Sequence, residues 1–281
     1  MAHKAGPEDR GTLAQNLMVI IPHAAYFDAA GKPTGKIITV AGAAAPVKAW
    51  ITFERDWRKI LKREGVSAFH ATDFAASLRE YVGWKGDKPR RARFLHDLGI
   101  VFRNAASRLF SISVEMSAWK SVNSEFLLEE TFHSPYVLAG FTVVLAVKKW
   151  RETNKITAPI EFFFEEGDEG WGALTKLCKR DGVVPTRRPK SKAIQFEAAD
   201  LLAWKNRIAC IEALKNQPSP DDSIRKTVAA LKRIVEDIKS LEKVLVCPGD
   251  PLVYGEENLR KTCWDSNVPL RSNVGPVTPI S

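Results

Sequence analysis

Asp200 lies in a segment whose other residues are almost all apolar, FEAADLLAW at residues 196–204. A helix that is apolar nearly all round is a buried helix. A buried carboxylate without a partner is costly unless it is protonated, hydrogen-bonded or bound to a cation. The sequence therefore predicts a compensating group for Asp200, and a divalent cation is one such group.

Other carboxylates also have apolar neighbours. Asp28 ends a strand-like segment just before Gly31, the acidic run Glu165–Glu169 follows three phenylalanines, and Glu197 precedes Asp200 by three residues. Crowded carboxylates need a raised pKa or a cation, and oxygen-only ligands suit Mg²⁺ or Mn²⁺. Three alternatives stay open: Asp28 caps a turn, the acidic run is solvated, and Asp200 pairs with Arg207 or a distant lysine.

The elements that must position these acids follow from periodicity and from turn residues. Strands are predicted at 18–31, 36–46, 109–116 and 158–170, the last one running into the acidic turn. Helices are predicted from Pro46 to Gly65, near 89–106, at 135–152, at 171–180 and around FEAADLLAW. This order predicts an α/β fold whose sheet has an antiparallel edge. A helix at 222–245 and an irregular tail at 247–281 are expected to follow.

Composition indicates an ordinary globular protein with an anionic partner. The 281 residues include 42 Lys and Arg against 33 Asp and Glu, a formal net charge of +9. This excess favours nucleic acid first and an acidic membrane surface second. The four cysteines lack zinc-like spacing, and the longest apolar run is too short to span a bilayer. A cytoplasmic protein without a membrane segment is expected.

A family resemblance adds to this interpretation. YFDAAGK (26–32), FHATDF (69–74), FEEGD (164–168) and FEAADLLAW (196–204), in this order, are similar to the domain-of-unknown-function 3800 family. The resemblance covers about residues 20–210 and implies a ribonuclease H-like fold. It also implies an acidic metal centre for phosphodiester hydrolysis. Ala29 and Ala30 depart from the family turn, and Glu197 replaces the usual glutamine.

From these observations we expect three segments and one site. The segments are a flexible lead-in at 1–15, a ribonuclease H-like mixed sheet flanked by helices at 16–215, and a helix and irregular tail packed on it at 216–281. Asp28, Glu165 and Asp200 are the expected catalytic ligands of Mg²⁺ or Mn²⁺, and Asp168 is a further ligand. Expected supporting residues behind these ligands are His70, Asp73 and Glu197, although an ordinary loop histidine is the simpler interpretation of His70.

The expected activity is that of a nuclease or phosphodiesterase acting on RNA, DNA or a hybrid. The alternative is a non-catalytic nucleic-acid-binding or assembly module with the same fold. A basic stretch between the acidic turn and the Asp200 helix is expected to contact phosphates, with a solvated loop as its alternative; it comprises Lys179, Arg180, Arg187, Arg188, Lys190 and Lys192. Helix 222–245 is expected to pack on its own domain, with a homodimer as the second possibility.

Overall fold

The sheet has six strands and is mixed. The computed structural model describes residues 22–215, 241, 244–245 and 252–271. The strands are β1 (His23–Ala30), β2 (Ile37–Pro46), β3 (Arg108–Glu115), β4 (Ile160–Glu165), β5 (Thr186–Arg188) and β6 (Leu252–Tyr254). Their order is β5-β4-β1-β2-β3-β6. The first three strands pair antiparallel, whereas β4 runs parallel to β1, β5 parallel to β4, and β6 parallel to β3.

Helices cover both faces of this sheet. They are α1 (Val47–Glu64), α2 (Ala71–Ala76), α3 (Lys88–Ala105), α4 (Met116–Asn123), α5 (Leu128–Phe132), α6 (Pro135–Thr153), α7 (Trp171–Arg180), α8 (Gln195–Lys215) and α9 (Glu256–Asp265). One hydrophobic cluster lies between the sheet and α1, α3 and α8, and a second lies between the sheet and α4, α6, α7 and α9. The expected α/β class is therefore confirmed. No helix among the described residues has the length and hydropathy needed to cross a membrane.

Strand alternation decides which side chains face α8. Tyr26 and Phe163 lie in the cluster on the α8 side, whereas Phe27 and Phe164 lie in the cluster on the other side. Because successive side chains of a strand point to opposite faces, the next residues, Asp28 and Glu165, point to the α8 side. The polar ends of both strands thus share the face on which the helix carrying Asp200 packs.

Predicted helix boundaries are confirmed where local capping chemistry is strong. Gly65 adopts a left-handed conformation, with φ of 73°, and its N–H caps the last turn of α1. Ser134 accepts a hydrogen bond from the Val137 N–H at 3.3 Å and thereby caps α6, whose first residue is Pro135. Helix α7 has the predicted bounds.

The prediction of an irregular tail at 247–281 is wrong for residues 252–265. Residues 252–254 form β6 at the edge of the sheet, and residues 256–265 form α9. A strand of three residues is too short to show an alternating pattern, so its pairing with β3 left no signal in the sequence. The predicted strand at 158–170 ends at Glu165, where the acidic turn begins.

Two predictions fall largely outside the described residues. The lead-in at 1–15 is not described, and of helix 222–245 only Leu241, Val244 and Leu245 are described. Leu241 and Leu245 are fully buried in the cluster that contains α3 and α8. These two residues favour packing on the same domain, and the homodimer stays a prediction.

Candidate acidic site

Two strand ends bring the first pair of acids together. Phe27 of β1 lies opposite Phe164 of β4 in a parallel ladder. The following residues, Asp28 and Glu165, are therefore neighbours at the carboxyl ends of both strands. Asp28 is 7 % exposed, and its Oδ1 accepts the Ala29 N–H at 2.7 Å.

Asp200 reaches the same place from α8. Its Oδ2 accepts the Ala71 N–H at 3.0 Å, and it also contacts the Lys190 Nζ at 3.0 Å. The alternative pairing with Arg207 does not form, since Arg207 donates to the Ile37 carbonyl at 3.2 Å. A backbone N–H and a lysine ammonium thus compensate Asp200, and the distant lysine that sequence reasoning left open is Lys190.

Lys190 lies at the centre of the carboxylates. Its Nζ is 3.2 Å from Asp28 Oδ2 and 3.3 Å from Glu165 Oε2, in addition to its contact with Asp200. The Lys190 side chain is 15 % exposed. Three elements therefore deliver carboxylate oxygens to a single cation. We call Asp28, Glu165, Asp200 and Lys190 the acidic site.

The charges of the acidic site do not balance. Burial raises the pKa of Asp28 well above its ordinary value; Lys190 opposes this, and Asp200 and Glu165 add to it. Burial alone would lower the pKa of Lys190, but the carboxylates of Asp200, Asp28 and Glu165 together raise it. A single ammonium faces three carboxyl groups, so a proton on Asp28 or a further cation is needed to offset the remaining negative charge.

Glu197 does not join the acidic site. Its Oε2 accepts the Trp57 indole N–H at 2.8 Å and the Phe69 backbone N–H at 2.9 Å. Burial raises the pKa of Glu197, while these two hydrogen bonds oppose the rise. Glu197 and Asp200, one helical turn apart on α8, therefore fix the loop at 69–71. This makes Glu197 a structural residue and a poor candidate for a ligand.

The predicted supporting residues His70 and Asp73 line a pocket above the acidic site. This pocket has a volume of about 340 Å³, and its walls are Asp28, Ala29, His70, Thr72, Asp73, Arg79, Glu165, Lys190 and Asp200. Arg79, which sequence reasoning missed, contacts Asp73 Oδ2 at 3.3 Å and has a positive φ of 51°. His70 is the residue before α2, and its backbone carbonyl accepts the Phe74 N–H.

Asp168 lies three residues after Glu165. Among the described residues, Lys190 forms ion pairs with Asp28, Glu165 and Asp200 but not with Asp168. Burial raises the pKa of Asp168 to about 6; the Glu165 carboxylate adds to this, and Lys190 opposes it. The folded protein therefore binds the Asp168 proton more tightly than the unfolded chain does. Ionisation of Asp168 destabilises the folded protein as the pH rises from about 4 through 6.

We expect Asp168→Asn to stabilise the protein at pH 7.5 and to do so only about a third as much at pH 4.5, where most folded molecules still hold the Asp168 proton. The upper limit of the gain is about 3 kcal/mol, since one pKa unit corresponds to about 1.4 kcal/mol. Urea unfolding at both pH values measures the difference, and the exposed Glu169→Gln in the same turn is the matched control. A gain of equal size at both pH values would show that Asp168 does not titrate in this range.

The basic stretch divides over several environments. Lys190 enters the acidic site, so the structure does not place it on a phosphate-binding surface. Arg187 lies over the Trp171 ring on the α7 side, whereas Arg188 lies over Phe163 on the α8 side. Lys179 and Arg180 lie at the end of α7, and Lys192 is exposed in the 3-10 turn at Lys190–Lys192.

A divalent ion does not fit the acidic site with the side chains as they stand. Among the described residues, no group of three or more His, Cys, Asp or Glu side chains is placed to hold a metal ion. Lys190 Nζ takes the point where the oxygens meet, at 3.0–3.3 Å. Mg²⁺ needs oxygens at about 2.0–2.1 Å. The donor type suits Mg²⁺ or Mn²⁺, but binding requires Lys190 to leave and the carboxylates to close in.

Comparisons with known proteins assign this chain to no family. No family model, curated protein or solved structure matches the chain. The resemblance to the domain-of-unknown-function 3800 family and the ribonuclease H-like fold therefore stay predictions. The class that the structure itself defines is an α/β protein with a six-stranded mixed sheet flanked by helices.

Proposed function

We propose that this protein is a ribonuclease H-like phosphodiester hydrolase that acts on nucleic acid with Mg²⁺ or Mn²⁺. The observation that carries the proposal is the convergence of Asp28, Glu165 and Asp200, from three separate elements, on one cation position. Burying three carboxyl groups together is costly for stability alone, which favours a functional reason for them. The mixed sheet, with β1 antiparallel to β2 and parallel to β4, supports the fold proposal.

In this proposal Lys190 is the resident counter-ion of the acidic site. Its ammonium neutralises part of the carboxylate charge and would have to leave for a divalent ion to bind. Asp28, Glu165 and Asp200 would then hold the ion, which would supply an activated water and a counter-charge for the leaving oxygen. Ala71 N–H keeps Asp200 oriented throughout, because this hydrogen bond involves no part of Lys190. The pocket of about 340 Å³ above the acidic site gives a phosphate group access.

The experiment that tests the proposal is cleavage of single-stranded and duplex RNA, DNA and hybrid by the wild type. We expect cleavage with Mg²⁺ or Mn²⁺ and none with a chelator. A wild type that binds nucleic acid but cuts no substrate with either ion would contradict the proposal.

The second candidate is a non-catalytic nucleic-acid-binding module. The ion pairs of Lys190 with three carboxylates favour this module, because an ammonium held in this way can replace a metal ion permanently. In that case Lys190 never leaves, and divalent ions have no effect on the acidic site. The two candidates therefore differ in how the Lys190 side chain responds to metal.

We expect Lys190→Met to lower the melting temperature of the metal-free protein and to enlarge the rise that Mn²⁺ produces. Without the ammonium the carboxylates repel one another, and Mn²⁺ loses its competitor. Removing a full charge about 3 Å away changes the Mn²⁺ midpoint at least about tenfold. Thermal unfolding with chelator and with graded Mn²⁺ measures both effects.

Lys192→Met is the matched control, since Lys192 lies in the same turn but is exposed. It should behave as the wild type does. In Lys190→Met combined with Asp200→Asn, the Mn²⁺ effect should disappear. An identical Mn²⁺ response of Lys190→Met and Lys192→Met would favour the non-catalytic module.

A further inference from the structure

A second cavity runs along the outer side of α7. It has a volume of about 590 Å³, and its walls are Trp171, Gly172, Thr175, Lys176, Lys179 and Arg180. We call it the α7 groove. It shares no wall residue with the pocket above the acidic site, and none of its wall residues is acidic. A cavity walled by cations and an aromatic ring suits an anionic ligand that carries a flat group.

The cations of the α7 groove are available to a ligand. Lys179 and Arg180 follow Lys176 by three and four residues, so the three cations lie along one side of α7. All three are exposed. Within the described ranges, none of the ion pairs includes them. Three neighbouring positive charges without carboxylate partners are a footprint for phosphates.

Trp171 supplies the flat surface at the start of the α7 groove. Its ring is only partly buried and contacts Phe164, with the ring centroids 6.1 Å apart. The Arg187 guanidinium lies 5.6 Å from the Trp171 ring centroid. A partly exposed indole with a guanidinium over its ring forms a cation–π pair against which an unstacked base can pack.

Gly172 leaves space in the groove. A Cβ placed on Gly172 would meet no heavy atom within 4 Å, so the fold itself does not require glycine there. Helices favour alanine over glycine, and Gly172 therefore keeps the groove open at some cost to α7.

The α7 groove begins beside the end of β4 that carries Glu165, but on the opposite face of the sheet from the Glu165 side chain. Phe164, which contacts Trp171, directly precedes Glu165 on β4. Lys176 and Arg180 follow Trp171 by five and nine residues, which places them about 8 and 14 Å further along the helix. This length exceeds one nucleotide, so a mononucleotide would leave the more distant cations unused.

We propose that the α7 groove binds single-stranded nucleic acid, with one base stacked on Trp171 and the following phosphates on Lys176, Lys179 and Arg180. A single strand is required because bases inside a duplex are already stacked and cannot cover the indole. The inference rests on the proposed function, since it names single-stranded nucleic acid as the substrate class of the hydrolase.

The experiment is fluorescence anisotropy with labelled single-stranded RNA, single-stranded DNA, duplex DNA and a labelled mononucleotide, all with chelator present. We expect the single strands to bind most tightly. Trp171→Leu should weaken single-strand binding roughly fivefold or more, since stacking of one base on an aromatic side chain contributes about 1–3 kcal/mol. The triple change Lys176→Ala, Lys179→Ala, Arg180→Ala should lower the slope of log affinity against log salt by about 2.

Two matched controls separate local from general effects. Arg55→Ala, Arg58→Ala, Lys59→Ala removes the same charge from exposed positions on α1 and should leave the slope unchanged. Gly172→Ala should bind as the wild type does, whereas Gly172→Gln should fill the groove and weaken binding, even if Trp171→Leu proves unstable. Equal effects of both triple changes, or unaltered binding by Gly172→Gln, would overturn the proposal, as would tighter binding of the duplex or mononucleotide.

Failure of this inference is distinguishable from failure of the proposed function. Groove-dependent binding without cleavage would leave the inference standing and remove the hydrolase. Metal-dependent cleavage with no effect of the groove variants would do the opposite.

Discussion

Replacing Asp28 by asparagine is expected to abolish Mg²⁺- or Mn²⁺-dependent cleavage while the protein stays folded. The amide oxygen of the new side chain can still accept the Ala29 N–H, which Asp28 accepts at 2.7 Å, but the charge beside Lys190 is lost. Residues that merely orient a metal ligand contribute about 10–100-fold, so loss of a direct ligand should cost at least about a hundredfold. The raised pKa of Asp28 indicates that a neutral side chain is well tolerated there.

Asp200→Asn should have the same effect on cleavage. Its amide oxygen can still accept the Ala71 N–H, so the loop at 69–71 stays in place. Asp265→Asn, at an exposed position on α9, is the matched control and should cleave normally. The measurement is a time course on the same panel of nucleic acids at equal protein concentration, together with binding in chelator, which both variants should retain. Cleavage that persists in both variants would place the chemistry at other residues.

Glu197→Ala is expected to be the most destabilising single change among those considered for α8. It leaves the buried Trp57 indole N–H and the buried Phe69 N–H without acceptors. Each unpaired buried donor costs about 1–3 kcal/mol, so the free energy of unfolding should fall by about 2–6 kcal/mol. At about 2–4 °C per kcal/mol, the melting temperature should fall by roughly 4–24 °C.

Glu197→Gln is the informative control for this prediction. A glutamine oxygen can accept the same hydrogen bonds, and burial already disfavours the charged form of Glu197. The loss in Glu197→Gln should therefore be much smaller, as thermal unfolding will measure. If both variants lost equal stability, the negative charge of Glu197 would matter more than its hydrogen bonds.

The sequence predicted the positions of the acids better than it predicted their partners. Asp28 lies two residues before the end of β1 and Glu165 ends β4, both in segments with clear patterns, and the apolar segment around Asp200 identified a buried helix. Strand and helix periodicity are local properties, so these elements were predictable. Lys190 lies in a loop, where no periodicity tells which way a side chain points, and its place among the carboxylates follows only from tertiary packing.

The two roles of Glu197 and Asp200 show the same limit. Both lie on one side of α8 at a spacing of three residues, and both were candidate ligands. What separates them is the loop at 69–71, which comes from a segment more than a hundred residues earlier and binds each through a backbone N–H. Strand β5 was missed for a related reason: its three residues are all exposed, so main-chain pairing alone defines it.

The edge strand β6 has a consequence for the order in which the chain can fold. β2 follows β1 directly, and β3 follows β2 after the helices α1, α2 and α3. In contrast, β6 pairs residues 252–254 with residues 112–114, far earlier in the chain. During synthesis, more than a hundred residues must therefore be added after β3 before its partner strand β6 is available for pairing. Contacts across such long separations form late, because the loop-closure entropy must be overcome first. Until β6 pairs with it, β3 has unpaired backbone N–H and C=O groups along one edge. Nascent chains can associate through such an edge, so this is the part of the sheet where a chaperone would protect the chain most.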